Sequence, residues 1–178
     1  MFKELSEKRR SVRIYADRPI ETAKLDTIVE AVLRAPSGRG LRPWSLVVVT
    51  DKALLAKLSV AKPEGGAFVK DAAAAVVVCA DQAASPIWLE DCSIAAVTIQ
   101  YAAQDLGLGS RWAHIKGRDY GEGKTSTQYI AELLGLPENL AVLCIIALGY
   151  PGELPPPYKR EELDFGKVSY NRYGQRQP

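Results

Sequence analysis

One histidine, His114, one methionine and three widely separated cysteines are all that this 178-residue chain offers to the chemistries that depend on those side chains. A Ser-His-Asp or Cys-His site would have to be built on His114 alone, and a His-rich zinc site is excluded. Cys79, Cys92 and Cys144 are odd in number and sit in apolar stretches such as Val-Val-Val-Cys-Ala, so they read as buried, reduced thiols and not as a disulfide framework. Charge of one sign is also missing. Lys plus Arg number 23 against 21 Asp plus Glu, a net charge of +2, so no global field argues for nucleic acid or membrane as a partner. The apolar runs are short: the longest candidate, residues 87–106, is interrupted by Glu90, Asp91, Gln100, Gln104 and Asp105 and falls below the ~18 residues a membrane span requires. The first ten residues alternate charged and apolar groups without the apolar block of a signal peptide, which implies a cytoplasmic protein.

What is present is an ordinary folding composition, 47% hydrophobic and 25% charged, and the length implies one domain over residues 1–178. Between Pro19 and Pro36, Leu25, Ile28, Val29, Val32 and Leu33 recur at helical spacing, and Pro36 stops the helix. Residues 45–50 and 73–80 are short β-branched or alanine-rich runs without alternation, as in strands covered on both faces, with a short helix over 53–60 between them. Residues 87–106 form a helix that is apolar nearly all round. A helix of that kind is buried on several sides. Gly107-Leu108-Gly109 ends it, residues 111–116 read as a strand, 126–134 as a helix and 140–148 as the strongest strand. This order argues for one sheet with helices packed on it. The tail beyond the stiff Pro155-Pro156-Pro157 connector carries Leu163, Phe165, Val168, Tyr170 and Tyr173 without a helical period, which describes an extended arm, residues 161–178, with apolar anchors.

Two places suit phosphate. Residues 117–125, Gly-Arg-Asp-Tyr-Gly-Glu-Gly-Lys-Thr, approach a P-loop, but Gly117 stands one residue too far from Gly123-Lys124, and the metal-holding Asp of such a site is missing after the next strand. The cluster Arg9-Arg10-Ser11-Val12-Arg13 places three guanidinium groups and a hydroxyl within five residues at the end of a helix. It is either a solvated basic turn or a site for a doubly charged phosphate, for which arginine supplies both charge and directional donors.

Three motifs in order carry a resemblance. Residues 9–15, then Ala35-Pro36-Ser37-Gly38-Arg39-Gly40-Leu41-Arg42-Pro43-Trp44, then residues 107–112 (Gly-Leu-Gly-Ser-Arg-Trp) are similar to successive signatures of the FMN-dependent nitroreductase family, and the resemblance covers essentially the whole chain. It implies an α+β, nitroreductase-like fold with a central, mainly antiparallel sheet flanked by helices. It also implies an intertwined homodimer in which the C-terminal arm lies on the partner, with FMN in each interface cleft. By the same resemblance Arg9, Arg10 and Ser11 hold the FMN phosphate and ribityl chain, and Arg13 is the cation near the flavin pyrimidine. Pro36, Ser37 and Gly38 pack on the flavin from the other subunit, Ala113, His114 and Ile115 line its N5 edge, and Lys159 and Arg160 reach the phosphate.

Gly40 and Arg42 stand where the family usually has Asn and Gln, so Arg42 moves or replaces a ribityl contact. Trp44 is expected in the core. His114 contacts substrate, acts as an acid or fills the ring edge. The function implied is transfer of a hydride from NAD(P)H through flavin N5 to a small planar acceptor, a nitroaromatic, quinone or flavin, in an alternating scheme. An FMN carrier or regulatory protein without turnover is the second reading, and a nucleotide-phosphate binder without flavin the third.

Overall fold

The structure is a computed structural model, and it describes residues 2–176; the last two residues of the expected arm lie outside the described residues. Five helices and six strands follow one another as α1 (Phe2–Lys8), α2 (Thr22–Leu33), β1 (Trp44–Val49), α3 (Lys52–Val60), β2 (Ala74–Asp81), α4 (Trp88–Asp105), β3 (Gly109–His114), β4 (Asp119–Gly121), β5 (Lys124–Thr125), α5 (Ser126–Leu134) and β6 (Leu140–Gly149). Four strands form one sheet in the order β1-β2-β6-β3. Every neighbouring pair is antiparallel, with Val47 opposite Val77, Val77 opposite Ile145, and Ile145 opposite Ala113.

The unbroken apolar runs of β2 and β6 follow from cover on both faces. Successive side chains point to opposite sides of a strand. Val76, Val78, Ile146 and Leu148 accordingly join a core with Ile28 and Val32 of α2 and Cys92, Ala95 and Ile99 of α4. Ala75, Val77, Ile145 and Ala147 join a second core with Leu55 and Leu58 of α3 and Ile130 of α5. Trp44 is buried in the first core, as expected of it. Cys79, Cys92 and Cys144 are free and buried, and burial pushes their thiols up, to about 11 for Cys79 and about 12 for Cys92.

The near P-loop resolves into a hairpin. β4 and β5 pair across Glu122 and Gly123, both with positive φ (56° and 74°), the backbone that a tight two-residue hairpin turn requires. Thr125 then caps α5, accepting from the Gln128 amide at 3.2 Å while the Gln128 side chain accepts from the Thr125 amide at 2.8 Å. The glycines here serve a turn, not a phosphate cradle.

A bulge separates Val78 and Cys79 of β2 from their partners on β6, so Leu143 stands without an opposite residue. Its carbonyl accepts from both Ile115 and Lys116, at 3.0 and 3.1 Å, which ends β3 directly after His114. No helix among the described residues is long and apolar enough to cross a membrane.

Helix α4 matches the reading of an unusually apolar helix, and the structure shows where the excess goes. Trp88, Cys92, Ala95, Ile99 and Ala103 face the core, while Ile87, Ile94 and Val97 stay exposed. The arm is equally uncovered: Leu163, Phe165, Val168 and Tyr170 are all exposed, and Tyr173 is fully so. It is not uniformly extended, since short 3-10 turns occupy Arg160–Glu162 and Phe165–Lys167.

Candidate functional site

The arginine cluster is placed by two glycines. The chain leaves α1 with Arg9 donating its amide to the Leu5 carbonyl at 2.8 Å, and Ser11 then lies beside Ser110 in a parallel bridge, with the Val12 amide on the Ser110 carbonyl at 3.1 Å. A side chain at Gly109 would forbid this approach, because a Cβ there would fall 2.7 Å from Val12 Cγ2. Three residues further, Tyr15 crosses Gly149, where a Cβ would stand 2.7 Å from its ring, and the Ala16 amide reaches the Tyr150 carbonyl at 2.9 Å. The segment from Ser11 to Ala16 is thus clamped between the start of β3 and the end of β6.

Gly109→Ala therefore should displace Val12 at the margin of the second core and, with it, the arginine cluster. The expected result is a folded protein with FMN affinity reduced about tenfold or more, the loss of one charge-assisted hydrogen bond being about 1.5–3 kcal/mol. Titration with FMN beside a far-ultraviolet circular dichroism spectrum checks it. Unchanged affinity would mean that this close approach does not position the site.

Within the clamp the cations are left without protein partners. Among the described residues neither Arg9 nor Arg13 forms a side-chain ion pair, and the Ser11 hydroxyl makes no hydrogen bond. Arg13 offers its backbone amide to Glu153 Oε1 at 2.8 Å. Arg10 behaves differently: its guanidinium donates to the Pro156 carbonyl and lies 4.1 Å from the Tyr158 ring centroid. It holds the root of the arm. Lys8, Arg10, Leu108, Gly109 and the proline run line a cavity of about 360 Å³ there. Lys159 and Arg160 follow directly and are exposed; Lys159 offers its amide to Glu162 at 2.6 Å and Arg160 sits 5.0 Å from the Phe165 ring. Their contacts are internal to the arm.

The end of β3 and the residue just after it carry the residues expected at the ring edge. Ala113 and Ile115 are buried in the second core, so only their backbone is available to a ligand, whereas His114 is partly exposed. Burial holds its imidazole below the ordinary histidine range, and the positive charges of Arg118 and Lys62 add to the effect. His114 is accordingly neutral at pH 7, which disfavours it as a proton donor.

The loop Pro36–Arg42 lies elsewhere. The Gly38 amide donates to Asp91 Oδ1 at 2.8 Å, and Ser85 Oγ donates to the other carboxylate oxygen at 2.9 Å, so the loop is tied to the first turn of α4. Ser37 Oγ accepts from the Arg42 amide at 2.8 Å. Arg39, Gly40 and Arg42 all have positive φ, at 53°, 69° and 45°. Gly40 in place of the family's Asn is therefore compatible with the backbone, since Asn and Gly are the residues that tolerate this region best. The arginine cluster, in contrast, touches the turn after the last residue of α4, and 18 residues at 1.5 Å each put about 27 Å between the two ends. One chain does not bring Pro36, Ser37 and Gly38 to Arg9, Ser11 and Arg13.

Sequence reasoning passed over Asp91, Glu153, Phe68 and Arg111. Asp91 carried one signal, an acidic residue in an otherwise apolar helix face, and Arg111 stood inside a quoted motif without a role.

The profile of the Nitroreductase family matches residues 7–81 and 59–150 of the chain. A structure of an FMN-dependent nitroreductase from Clostridium difficile R20291 superposes with a TM-score of 0.92 at 43% identity, covering 95% of this chain and 98% of that one. A protein of Archaeoglobus fulgidus whose name joins NADH dehydrogenase with NAD(P)H nitroreductase is 37% identical over 158 residues, 86% of this chain and 87% of its own. The NADH dehydrogenase of Thermus thermophilus is 32% identical in an alignment of 185 positions, gaps included, that covers 88% of this chain and 90% of its own. An antiparallel sheet under helices, an arginine cluster clamped at its edge and a match running through all three motifs have one common account: the chain belongs to the nitroreductase family.

Proposed function

We propose that this protein is an FMN-dependent oxidoreductase that takes electrons from NAD(P)H and passes them to a small planar acceptor, a nitroaromatic, quinone or flavin. The observation that carries the cofactor assignment is that, among the described residues, the side chains of Arg9, Arg13 and Ser11 have no hydrogen-bond or ion-pair partner, while Val12 between them is seated on Gly109. A phosphate ester with two negative charges fits that donor set. The FMN supplies the exchange of two electrons with nicotinamide and acceptor in turn.

The chain's residues do the rest. Arg9 and Ser11 hold the phosphate end. Arg13 places a fixed positive charge near the pyrimidine, where reduction adds negative charge, and so favours the reduced form. The Ala113–Ile115 backbone borders the N5 edge, with His114 as a neutral side chain at the acceptor's position. Lys159 and Arg160 join the phosphate site when the arm is docked.

The site needs two chains. Pro36, Ser37 and Gly38 lie at the far end of α4 from their own arginine cluster, so contact of both segments with one flavin requires a second copy. The exposed Ile87, Ile94 and Val97 on α4 and the exposed apolar anchors of the arm supply surface for such a dimer, which buries its interface like a core cut in two. Residues 1–178 form one domain, from which residues 161–178 extend over the partner.

The test is a purification. The expected protein is yellow, and its flavin absorbance bleaches when NADH or NADPH is added without oxygen and returns when a quinone follows. Colour without bleaching would replace the enzyme by an FMN carrier, and a colourless protein that takes up no FMN would end the flavin assignment.

A further inference from the structure

A cavity of about 520 Å³ opens one turn beyond the end of β3, between the connection from α3 to the 3-10 turn Ala67–Asp71 and the turn that leads into β4. Lys62, Pro63 and Glu64 form one wall, Arg118 and Asp119 the other. Glycine shapes both walls. The Ile115 carbonyl accepts from the Arg118 amide at 3.0 Å, and this tight turn passes through Gly117 at a positive φ of 69°. Opposite it Gly65 takes a φ of 76°, and a Cβ at Gly66 would stand 2.5 Å from the Lys62 carbonyl.

The cations of this cavity have no protein partner. Among the described residues neither Lys62 nor Arg118 forms a side-chain hydrogen bond or ion pair, although Glu64 and Asp119 line the same space. Asp119 accepts from the Gly121 amide at 3.1 Å, and the Glu64 carboxylate is free. Unpaired cationic donors beside carboxylate acceptors match a sugar phosphate: its phosphate oxygens take charge-assisted bonds from Arg and Lys, and its ribose hydroxyls donate to carboxylates, as in dinucleotide sites. A planar acceptor with neither phosphate nor sugar would leave both kinds of group unused.

Position decides which sugar phosphate. The turn starts at Ile115, the last residue of the stretch assigned to the N5 edge, and the positive charges of Arg118 and Lys62 both bear on His114. A hydride donor has to set its nicotinamide against N5, and the ribose and pyrophosphate attached to that ring then leave it close to this turn. The FMN phosphate belongs to the opposite end of β3, where Ser11 lies beside Ser110.

We propose that the cavity between Lys62–Glu64 and Arg118–Asp119 is the subsite for the ribose and pyrophosphate of NAD(P)H, with Lys62 and Arg118 holding the phosphates. It rests on the flavin oxidoreductase reading above and deepens it by naming where the donor is held.

The experiment compares the full-length, FMN-loaded protein with Lys62→Gln, Arg118→Gln and the double variant. NAD+ binding is measured by calorimetry, and anaerobic bleaching is followed against the concentration of NADH and of N-benzyl dihydronicotinamide, which has the same reactive ring but no sugar or phosphate. Each single variant is expected to weaken NAD+ binding and NADH saturation about threefold and the double variant about tenfold, at unchanged limiting rate and with the benzyl donor unaffected. Lys116→Gln is the control. It removes a cation of the same turn whose ammonium lies 5.9 Å from the centroid of the Trp88 ring, in the first core. All three side chains are exposed or half-buried, so the exchanges leave the cores intact.

NAD+ binding and NADH saturation unchanged in the double variant would overturn the subsite while leaving the flavin reading standing. An equal loss with the benzyl donor, or in Lys116→Gln, would do the same. Weaker saturation by an anionic quinone sulfonate with NADH saturation intact would also overturn it, by giving the cavity to the acceptor. Parental protein that takes up no FMN, or does not bleach with either nicotinamide, would overturn the reading and the subsite together.

Discussion

Asp91→Ala should lower the melting temperature by about 5–15 °C. Asp91 is 1% exposed, and its two carboxylate oxygens satisfy the Gly38 amide and the Ser85 hydroxyl, itself fully buried. Alanine leaves both donors unpaired in the interior, at about 1–3 kcal/mol each. In a chain of this size 1 kcal/mol moves the melting temperature by about 2–4 °C. The acidic group also sits in the first turn of α4, where it opposes the positive end of the helix. Asp91→Asn is the control: its carbonyl oxygen still accepts from Gly38 and its amide can donate to Ser85, so most of the stability should return. Thermal denaturation of the three proteins decides the point. A drop of less than about 2 °C for the alanine variant would show that the Pro36–Arg42 loop does not depend on this node.

Ending the chain after Pro157 should convert a dimer into a monomer that has lost at least a hundredfold in FMN affinity. The truncation removes Leu163, Phe165, Val168, Tyr170 and Tyr173, all exposed in the single chain, together with Tyr158, on which Arg10 rests. Burying such a side chain contributes about 1.5–3 kcal/mol, from which the cost of ordering the arm is subtracted. A net loss of only about 4 kcal/mol weakens association about a thousandfold. On the proposed two-chain cleft FMN affinity falls with it, since Lys159 and Arg160 are removed as well. Sedimentation at micromolar concentration and FMN titration measure the two losses. A truncated dimer with full affinity would remove the arm from the interface.

Much of this architecture was legible along the chain, and the parts that were not share a cause. The runs at 45–50, 73–80 and 140–148 announced strands covered on both faces, and helices lie on both faces of the sheet. Helix α4 was visible as a helix with too much apolar surface for one side. Strand order and direction were not, because β1-β2-β6-β3 is decided by pairings such as Val77 with Ile145 that no local window contains.

The same holds within the site. Arg9, Ser11 and Arg13 stand together in sequence and announce themselves as a cluster. Arg111 and Phe68 become a pair only when β3 meets the Ala67–Asp71 turn, and Asp91 meets Gly38 only when α4 meets the loop. Arg10 adds a contact that the motif does not announce: its guanidinium donates to the Pro156 carbonyl at the root of the arm. Residues 117–125 carried a phosphate-like glycine pattern for an unrelated reason, the positive φ at Glu122 and Gly123 in a hairpin.

The clamp on residues 11–16 also dictates when the site can exist. Its contacts span nearly the whole chain: 132 residues separate Tyr15 from Ala147, 140 separate Arg13 from Glu153, and 146 separate Arg10 from Pro156. Closing loops of that length is entropically unfavourable until the intervening sheet is assembled, so these contacts are made late in folding. Residues 11–16 are made well before the residues that close on them. During synthesis the clustered arginines emerge from the ribosome with no surface to lie on, and they remain so until β6 and the residues just beyond it have been made. Closure of the clamp is thereby tied to synthesis of β6 and of the residues through Pro156, and a polypeptide ended before them leaves residues 11–16 without their partners.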